Sequence, residues 1–264
     1  MNVDLSGASR LFPIIGDPVR FVRSPQSLTA SFASQGHNGI CIPVEVPEGD
    51  LDPVMQGLAR TRNVDGLLVT MPHKATAFGY CATSSETSRL LRSVSVMRRN
   101  ADGTWHGDML DGRAFVKAQV DAGARPEGAR VLLIGAGSAG AAIAIALLAA
   151  GVRELRIHDS DEARVKALIA LAPASYRARM VAASPDPAGC DMVCNATPLG
   201  LSPDEPPPLD VKLLVSSAFV GDVIAGHGVT PLLQAAQAAG CKTANGAQMV
   251  DAVQQMMVDF MLGK

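Results

Sequence analysis

The chain has 264 residues, 48% hydrophobic and 18% charged, with 25 Gly and 17 Pro. This is a globular α/β balance that excludes a disordered or low-complexity chain and leaves room for one large domain or two small ones. A formal net charge of −2, 4% aromatic residues and a single Trp (Trp105) offer no basic face for nucleic acid or anionic membrane and no stacking platform for bases. Five scattered Cys without a CxxC pair, and five His without ligand spacing, argue against a disulfide framework and a metal centre, and they fit a reducing compartment.

In chain order, Leu11–Ile15 reads as a short buried strand ended by Gly16-Asp17-Pro18, and Ser27–Gln35 as a helix. Gly39–Val46 is a second strand, Leu51–Arg60 a second helix and Val64–Thr70 a third strand, with Pro72 at the first position of the helix that follows. Val94–Arg98 and the turn Ala101-Asp102-Gly103 form a hairpin with Trp105–Gly107. Beyond Asp111 come a helix (Arg113–Ala122), a strand (Arg130–Ile134), a helix (Gly140–Ala150), a strand (Glu154–Ile157) and a helix (Glu162–Ala170). Strands at Met180–Ala182 and Met192–Asn195 follow, then a proline-rich loop (Pro203–Pro208), a strand (Leu213–Ser217) and helices Pro231–Ala239 and Ala247–Met261. Val131–Val152 runs 22 positions without a charge, long enough to span a bilayer, but it breaks at Gly135-Ala-Gly137 and reads as a buried strand followed by a buried helix. No fixed-period repeat is present, and MNVDLSGASR shows no apolar core of a secretory signal.

Alternating strands and helices predict an α/β fold of two domains. Residues 1–111 form a first α/β domain, residues 112–243 a doubly wound parallel sheet of the Rossmann type, and residues 244–264 a terminal helix returning to the first domain. In the second domain Gly135-x-Gly137-x-x-Gly140 follows a strand and opens a helix, the context that makes this pattern a dinucleotide-binding turn. The first Gly permits the tight turn, the second lets a diphosphate approach the backbone, and the third packs helix on strand. The amides of Gly135, Ala136, Gly137, Ser138, Ala139 and Gly140 are thus candidates for the cofactor. Asp159, at the end of the next strand and 24 residues after Gly135, has the placement of an acid that binds the adenine ribose and repels a 2′-phosphate. The expected cofactor is therefore NAD in preference to NADP; the alternative is that Asp159 or Ser160 only caps the next helix.

The second candidate site lies in Leu67-Leu-Val-Thr-Met-Pro-His-Lys74, where a cation in the first turn of a helix opposes the dipole, and in Gly107-Asp108-Met-Leu-Asp111-Gly112, an acid at a helix start. Taken singly, Lys74 is a solvated lysine and Asp111 a cap. Together, and in linear order with Gly16-Asp-Pro18, Arg23-Ser24-Pro25, Gly135-Ala-Gly137, Asn195-Ala-Thr-Pro-Leu-Gly200, Asp222, Thr230-Pro231 and Gly246…Met249, they resemble the shikimate and quinate dehydrogenase family. The resemblance implies an oxidoreductase of aromatic amino acid biosynthesis, cytoplasmic, a monomer or homodimer, with a small-molecule substrate. It implies Lys74 and Asp111 as a catalytic pair, Ser24, Thr70 and Ser95 as substrate-binding positions, and Asn195, Thr197 and Pro198 as part of the cofactor-side loop.

This chain also departs from the family pattern. A serine is replaced by Val22, an asparagine by Leu68, another asparagine by Ser95, an asparagine–threonine pair by Met109-Leu110, a tyrosine by Ala225 and a glutamine by Val253. Asp159 stands where the family carries an arginine for a 2′-phosphate. Sites that lose polar partners lose their polar ligands, so the expected substrate is a shikimate- or quinate-like cyclic compound less polar than shikimate. A non-catalytic NAD-binding sensor of the same fold, and an ordinary shikimate or quinate enzyme with an unusual pocket, remain the alternatives.

Overall fold

The computed structural model describes residues 5–20, 22–202, 205–225 and 228–264; His227 and the first two residues of the proline-rich loop lie outside them. The chain divides into two compact units, Met1–Leu110 with Gln254–Lys264, and Asp111–Val253.

The first unit is built on β1 (Arg10–Gly16), β2 (Gly39–Glu45), β3 (Gly66–Val69), β4 (Cys81–Ser84), β5 (Val96–Arg99) and β6 (Trp105–Asp108), in the order β2-β1-β3-β5-β6-β4. β1, β2 and β3 run parallel, whereas β5 is antiparallel to both β3 and β6. Helices α1 (Ser24–Ser34), α2 (Leu51–Arg60), α3 (Lys74–Phe78) and α4 (Glu86–Leu91) connect them. Every residue of β3 is buried, as its uninterrupted apolar run requires. Its core neighbours include Ile15, Val46, Met55, Met97 and Trp105, each worth about 1.5–3 kcal/mol when fully removed from water.

The second unit holds α5 (Asp111–Asp121), β7 (Arg130–Ile134), α6 (Ser138–Ala149), β8 (Glu154–His158), α7 (Glu162–Leu171), α8 (Ala174–Arg177), β9 (Met180–Ala182), β10 (Met192–Asn195), β11 (Phe219–Asp222), α9 (Pro231–Ala238) and β12 (Lys242–Ala244). Its six strands are all parallel, in the order β12-β11-β10-β7-β8-β9. That is the doubly wound order, whose reversal falls between β7 and β10 and whose crevice opens at the carboxyl ends of those two strands. The last helix, α10 (Gly246–Met261), begins in this unit, and the residues from Gln254 onward group with the first. Within the first unit, Gly66 leaves the space that the Met261 sulfur fills: a Cβ on Gly66 would lie 2.2 Å from that sulfur.

The uncharged stretch of 22 residues divides as expected into β7 and α6, and no described helix is long and apolar enough to cross a membrane. α6 has no polar face because both its sides are covered. At Gly112 the start of α5 comes against α6 so closely that a Cβ would sit 2.0 Å from the Ala142 carbonyl oxygen.

Two sequence expectations change. The strand placed at Leu213–Ser217 is a 3-10 turn and loop, with Leu213 and Val215 at 46% and 53% exposure, and the buried strand beside β10 is Phe219–Asp222. Gly221 hides that strand from a reading of propensities, yet the position needs glycine, because Gln119 of α5 lies 2.1 Å from where its Cβ would be. Pro72 does not open a helix: it follows a cis peptide bond, and α3 begins two residues later at Lys74 itself. With only five residues, α3 has too little dipole for the expected opposition to Lys74 to matter.

Candidate active site

In the first unit, the parallel strands β1, β2 and β3 deliver three loops to one sheet edge. Thr70 continues β3 by donating its amide to the Ile15 carbonyl (2.9 Å), and the Asp17 amide donates to the Met71 carbonyl (2.9 Å). Gly16 makes this contact possible: a Cβ there would lie 2.3 Å from the Thr70 methyl group. The His73 amide donates back to the Thr70 carbonyl, and Lys74, half-buried, opens α3 with its own carbonyl accepting from the Val94 amide (3.0 Å). Thr70 and Lys74 thus sit on one short, tethered loop, and Ser24 lies at the first position of α1, half-exposed.

Ser95 reaches the same edge from β5 but faces inward. It is 1% exposed, and its Oγ accepts the Leu110 amide at 2.9 Å while its own amide and carbonyl bond Asp108 and Val69. Nearby, the buried Asp108 carboxylate accepts from the Ser85 hydroxyl (2.5 Å) and the Met109 amide (2.7 Å). These bonds fix the segment that ends at Leu110. Asp111 follows as the first residue of α5, buried, in the second unit.

In the second unit, β7 ends in the glycine turn at the sheet's reversal. Gly135 has φ +104°, and a Cβ there would meet the Ala196 carbonyl at 2.8 Å, so the turn packs on the loop after β10. Gly140 is held equally closely, its absent Cβ 1.9 Å from the Gly135 carbonyl oxygen. Gly137 differs: a Cβ would meet nothing within 4 Å. That open space lies over the first turn of α6, where the amides of Ser138, Ala139 and Gly140 precede the Ala141-to-Gly137 bond and have no helical acceptor. A backbone cradle with an open approach and unspent amides fits the diphosphate of a dinucleotide.

The loop after β10 is organised from beneath. Asn195 is fully buried; its Oδ1 accepts from the amide and hydroxyl of Thr197 (3.0 and 2.7 Å), and its Nδ2 donates to Asp222 (3.1 Å) and to the Leu199 carbonyl (3.3 Å). Asp222 also accepts from the Ile224 amide and the Thr230 hydroxyl. Burial pushes its carboxyl above the usual range, opposed by those donors. Asn195 therefore shapes the loop, leaving Thr197 and the exposed Pro198 on its outer side. This Asn195–Asp222–Thr230 network has no signature in spacing; only the order of short motifs points to it.

Other chemistries find little footing. All five cysteines are free, and burial pushes the thiols up, to about 12 at Cys41 and Cys194 and about 11 at Cys81, so thiolate is scarce at neutral pH. A cavity of about 600 Å³ in the second unit is lined by Arg125, Glu127, Asp191, Phe219 and Lys242 at the amino ends of the strands, the opposite edge from the glycine turn. Volume alone therefore does not locate the site.

Residues 14–97 match the shikimate dehydrogenase substrate binding domain. The shikimate dehydrogenase (NADP(+)) of Rubrobacter xylanophilus is 34% identical over 257 residues, covering 93% of this chain and 88% of that protein. The chain belongs to the shikimate dehydrogenase family. It is an NAD(P)-dependent dehydrogenase acting on a CH–OH group, and its architecture agrees with solved relatives. A shikimate 5-dehydrogenase from Listeria monocytogenes in complex with shikimate and NAD superimposes with a TM-score of 0.90 at 25% identity, over 100% of this chain and 95% of that one. A quinate dehydrogenase from Corynebacterium glutamicum in complex with NAD gives 0.88 at 27% identity, over 97% and 94%.

The preference for NAD expected from Asp159 is overturned. The Rubrobacter dehydrogenase is an NADP(+) enzyme, and further curated relatives at 28–34% identity bear the same designation. The structure supplies a physical reason. Asp159 Oδ2 accepts the Ala136 amide (2.7 Å) and Oδ1 the Asp161 amide (2.9 Å), so each oxygen already ties down the backbone of the glycine turn or of the loop entering α7. Burial raises this carboxyl; the two amides, with the nearby charges of Arg164 and His158, together hold it below the usual range. A depressed folded value adds stability above the ordinary aspartate pKa of about 3.9 that drains away as pH falls through the folded value. Asp159→Asn should accordingly flatten the acid limb of a stability–pH curve. Asp159→Ala should weaken NAD and NADP binding together; a change confined to one of them in titration calorimetry would restore a ribose-reading role.

Proposed function

We propose that this chain reversibly oxidises a ring hydroxyl of a shikimate- or quinate-like cyclic compound less polar than shikimate. The observation that carries this reading is the tethered Thr70–Lys74 loop in a chain of this family. The first unit supplies the substrate contacts, with Ser24 and Thr70 as half-exposed polar groups at the loop edge. The second holds the cofactor through the amides of the 135–140 turn and the loop bearing Thr197 and Pro198. When bound, the nicotinamide dinucleotide supplies the two-electron acceptor for the carbon-bound hydrogen. Lys74 takes the hydroxyl proton as the carbonyl forms, and returns it in the reverse direction. Asp111 is the second member of the catalytic pair that membership of the family implies. Ser95 is a positioning residue that holds Leu110, one step before Asp111.

The expectation of lower polarity is supported by what replaces the family's polar residues. Leu68, Met109 and Leu110 are each at most 1% exposed. They belong to the core, so the site loses hydrogen-bond partners for hydroxyl and carboxylate groups. A site without partners for a polar group gains no affinity from it and leaves it unpaired, which favours ligands that lack it.

Turnover of shikimate, quinate and cyclic alcohols lacking the carboxylate or one ring hydroxyl, followed by nicotinamide absorbance with each cofactor, tests the reading. The highest kcat/KM is expected on a compound with fewer polar groups than shikimate. Shikimate as the best substrate would remove the polarity argument, and no turnover with any member would remove the substrate class.

A further inference from the structure

We propose that His73 is a positioning residue for Lys74: its buried imidazole pins the first turn of α3 to the end of β2. This rests on the reading of Lys74 as the base. His73 is 1% exposed, and its Nε2 lies 2.6 Å from the Val46 carbonyl oxygen. A carbonyl only accepts, so the ring nitrogen carries the proton and donates it. The Val46 amide in turn donates to the Gly16 carbonyl (3.0 Å), so the ring is bolted to the same corner that packs against Thr70.

A short helix needs this. Five residues form at most one closed turn, and an isolated turn does not hold itself in water. The bonds that tie its start to the sheet include the Lys74 carbonyl, which accepts from the Val94 amide, and the His73 ring one residue earlier. The first fixes the backbone from the β5 side and the second from the β2 side. Loss of the second removes the support on the β2 side, and a proton-transfer group displaced by a fraction of an ångström loses rate without losing its chemistry. The sequence alone suggests only a surface or capping role for this histidine, since nothing in the spacing places its ring beneath the sheet edge.

The test compares His73→Phe, which fills the volume but donates nothing, with His73→Gln, whose amide can restore the donor. Hydrogen-exchange mass spectrometry of the full chain should show residues 70–80 exchanging at least tenfold faster in His73→Phe and at the parental rate in His73→Gln, with residues 130–145 unchanged in both. In steady-state assays His73→Phe should lose tenfold or more in kcat at nearly constant KM and cofactor affinity, and His73→Gln should remain within threefold of the parent. A folded His73→Phe protein with parental exchange and parental kcat overturns the proposal. If His73→Phe does not fold, His73→Gln decides: a tenfold loss of kcat at parental Tm overturns the tether, and retention within threefold supports it. Lys74→Ala, assayed alongside, separates the two levels. Full turnover by that variant sinks the reading of Lys74 and the proposal with it. Loss of turnover in Lys74→Ala beside an unaffected His73→Phe sinks the proposal alone.

Discussion

Lys74→Ala should lower kcat by about 10² to 10⁴, the usual cost of removing a general base or acid, while cofactor affinity stays at the parental value. The separation is expected because Lys74 stands on α3 in the first unit, whereas the groups proposed for the cofactor lie in the second. A thermal melt of the variant, recorded alongside, distinguishes a loss of chemistry from a loss of folding. Lys74→Arg separates charge from proton transfer. A guanidinium keeps the cation and its donors but gives up no proton in the working range, so it should be as slow as Lys74→Ala. Added small primary amines should restore part of the Lys74→Ala rate and none of the Lys74→Arg rate, because only the shorter side chain leaves room for them. Stopped-flow turnover on the substrate found in the panel gives kcat, and calorimetry gives the cofactor affinity. Full turnover by Lys74→Ala would return this residue to an ordinary surface lysine.

Legibility in the sequence followed burial. β7, β10 and α2 have the bounds that their apolar runs predict, because a run closed by Gly, Pro or a charged turn has only one place to be buried. β4 was missed: its two middle residues are exposed and it lies at the sheet edge, so Cys-Ala-Thr-Ser carries no alternation. Propensity failed at Phe219–Asp222 through Gly221, whose value lies in what it lacks beside Gln119. The site divides the same way. The glycine turn can be found from residue type and spacing, since chain geometry over a few residues demands it, whereas the Thr70–Lys74 loop stands out only through the order of motifs that the chain shares with the family. Which way a side chain faces cannot be found from either. Ser95, expected at the substrate, turns inward to Leu110, Asp159 spends its oxygens on backbone amides, and His73 reaches a carbonyl 27 residues away. Each of these outcomes involves a partner distant in sequence: Leu110 for Ser95, Ala136 for Asp159 and Val46 for His73.

The glycine turn offers a matched pair of substitutions with opposite expected outcomes. Gly137→Ala should fold as the parent does: its φ of −71° and ψ of −170° suit alanine, and the new methyl meets nothing within 4 Å. The same methyl would stand in the approach to the first-turn amides of α6. Overpacking costs of about 1–3 kcal/mol then correspond to a loss of roughly tenfold to a hundredfold in cofactor affinity, with Tm unchanged. Gly140→Ala should fail in the other way. Alanine favours a helix over glycine by about 1 kcal/mol, but here its Cβ would lie 1.9 Å from the Gly135 carbonyl oxygen, a backbone atom already constrained by the Gly135-to-His158 bond. No side-chain rotation relieves that clash, so either α6 or the turn must move, and Tm should fall along with cofactor binding. Thermal melts and titration calorimetry on the two variants distinguish a turn kept open for a ligand from one kept closed for packing. A Gly137→Ala protein that binds NAD and NADP as tightly as the parent would mean that the space over α6 is not where the diphosphate lies.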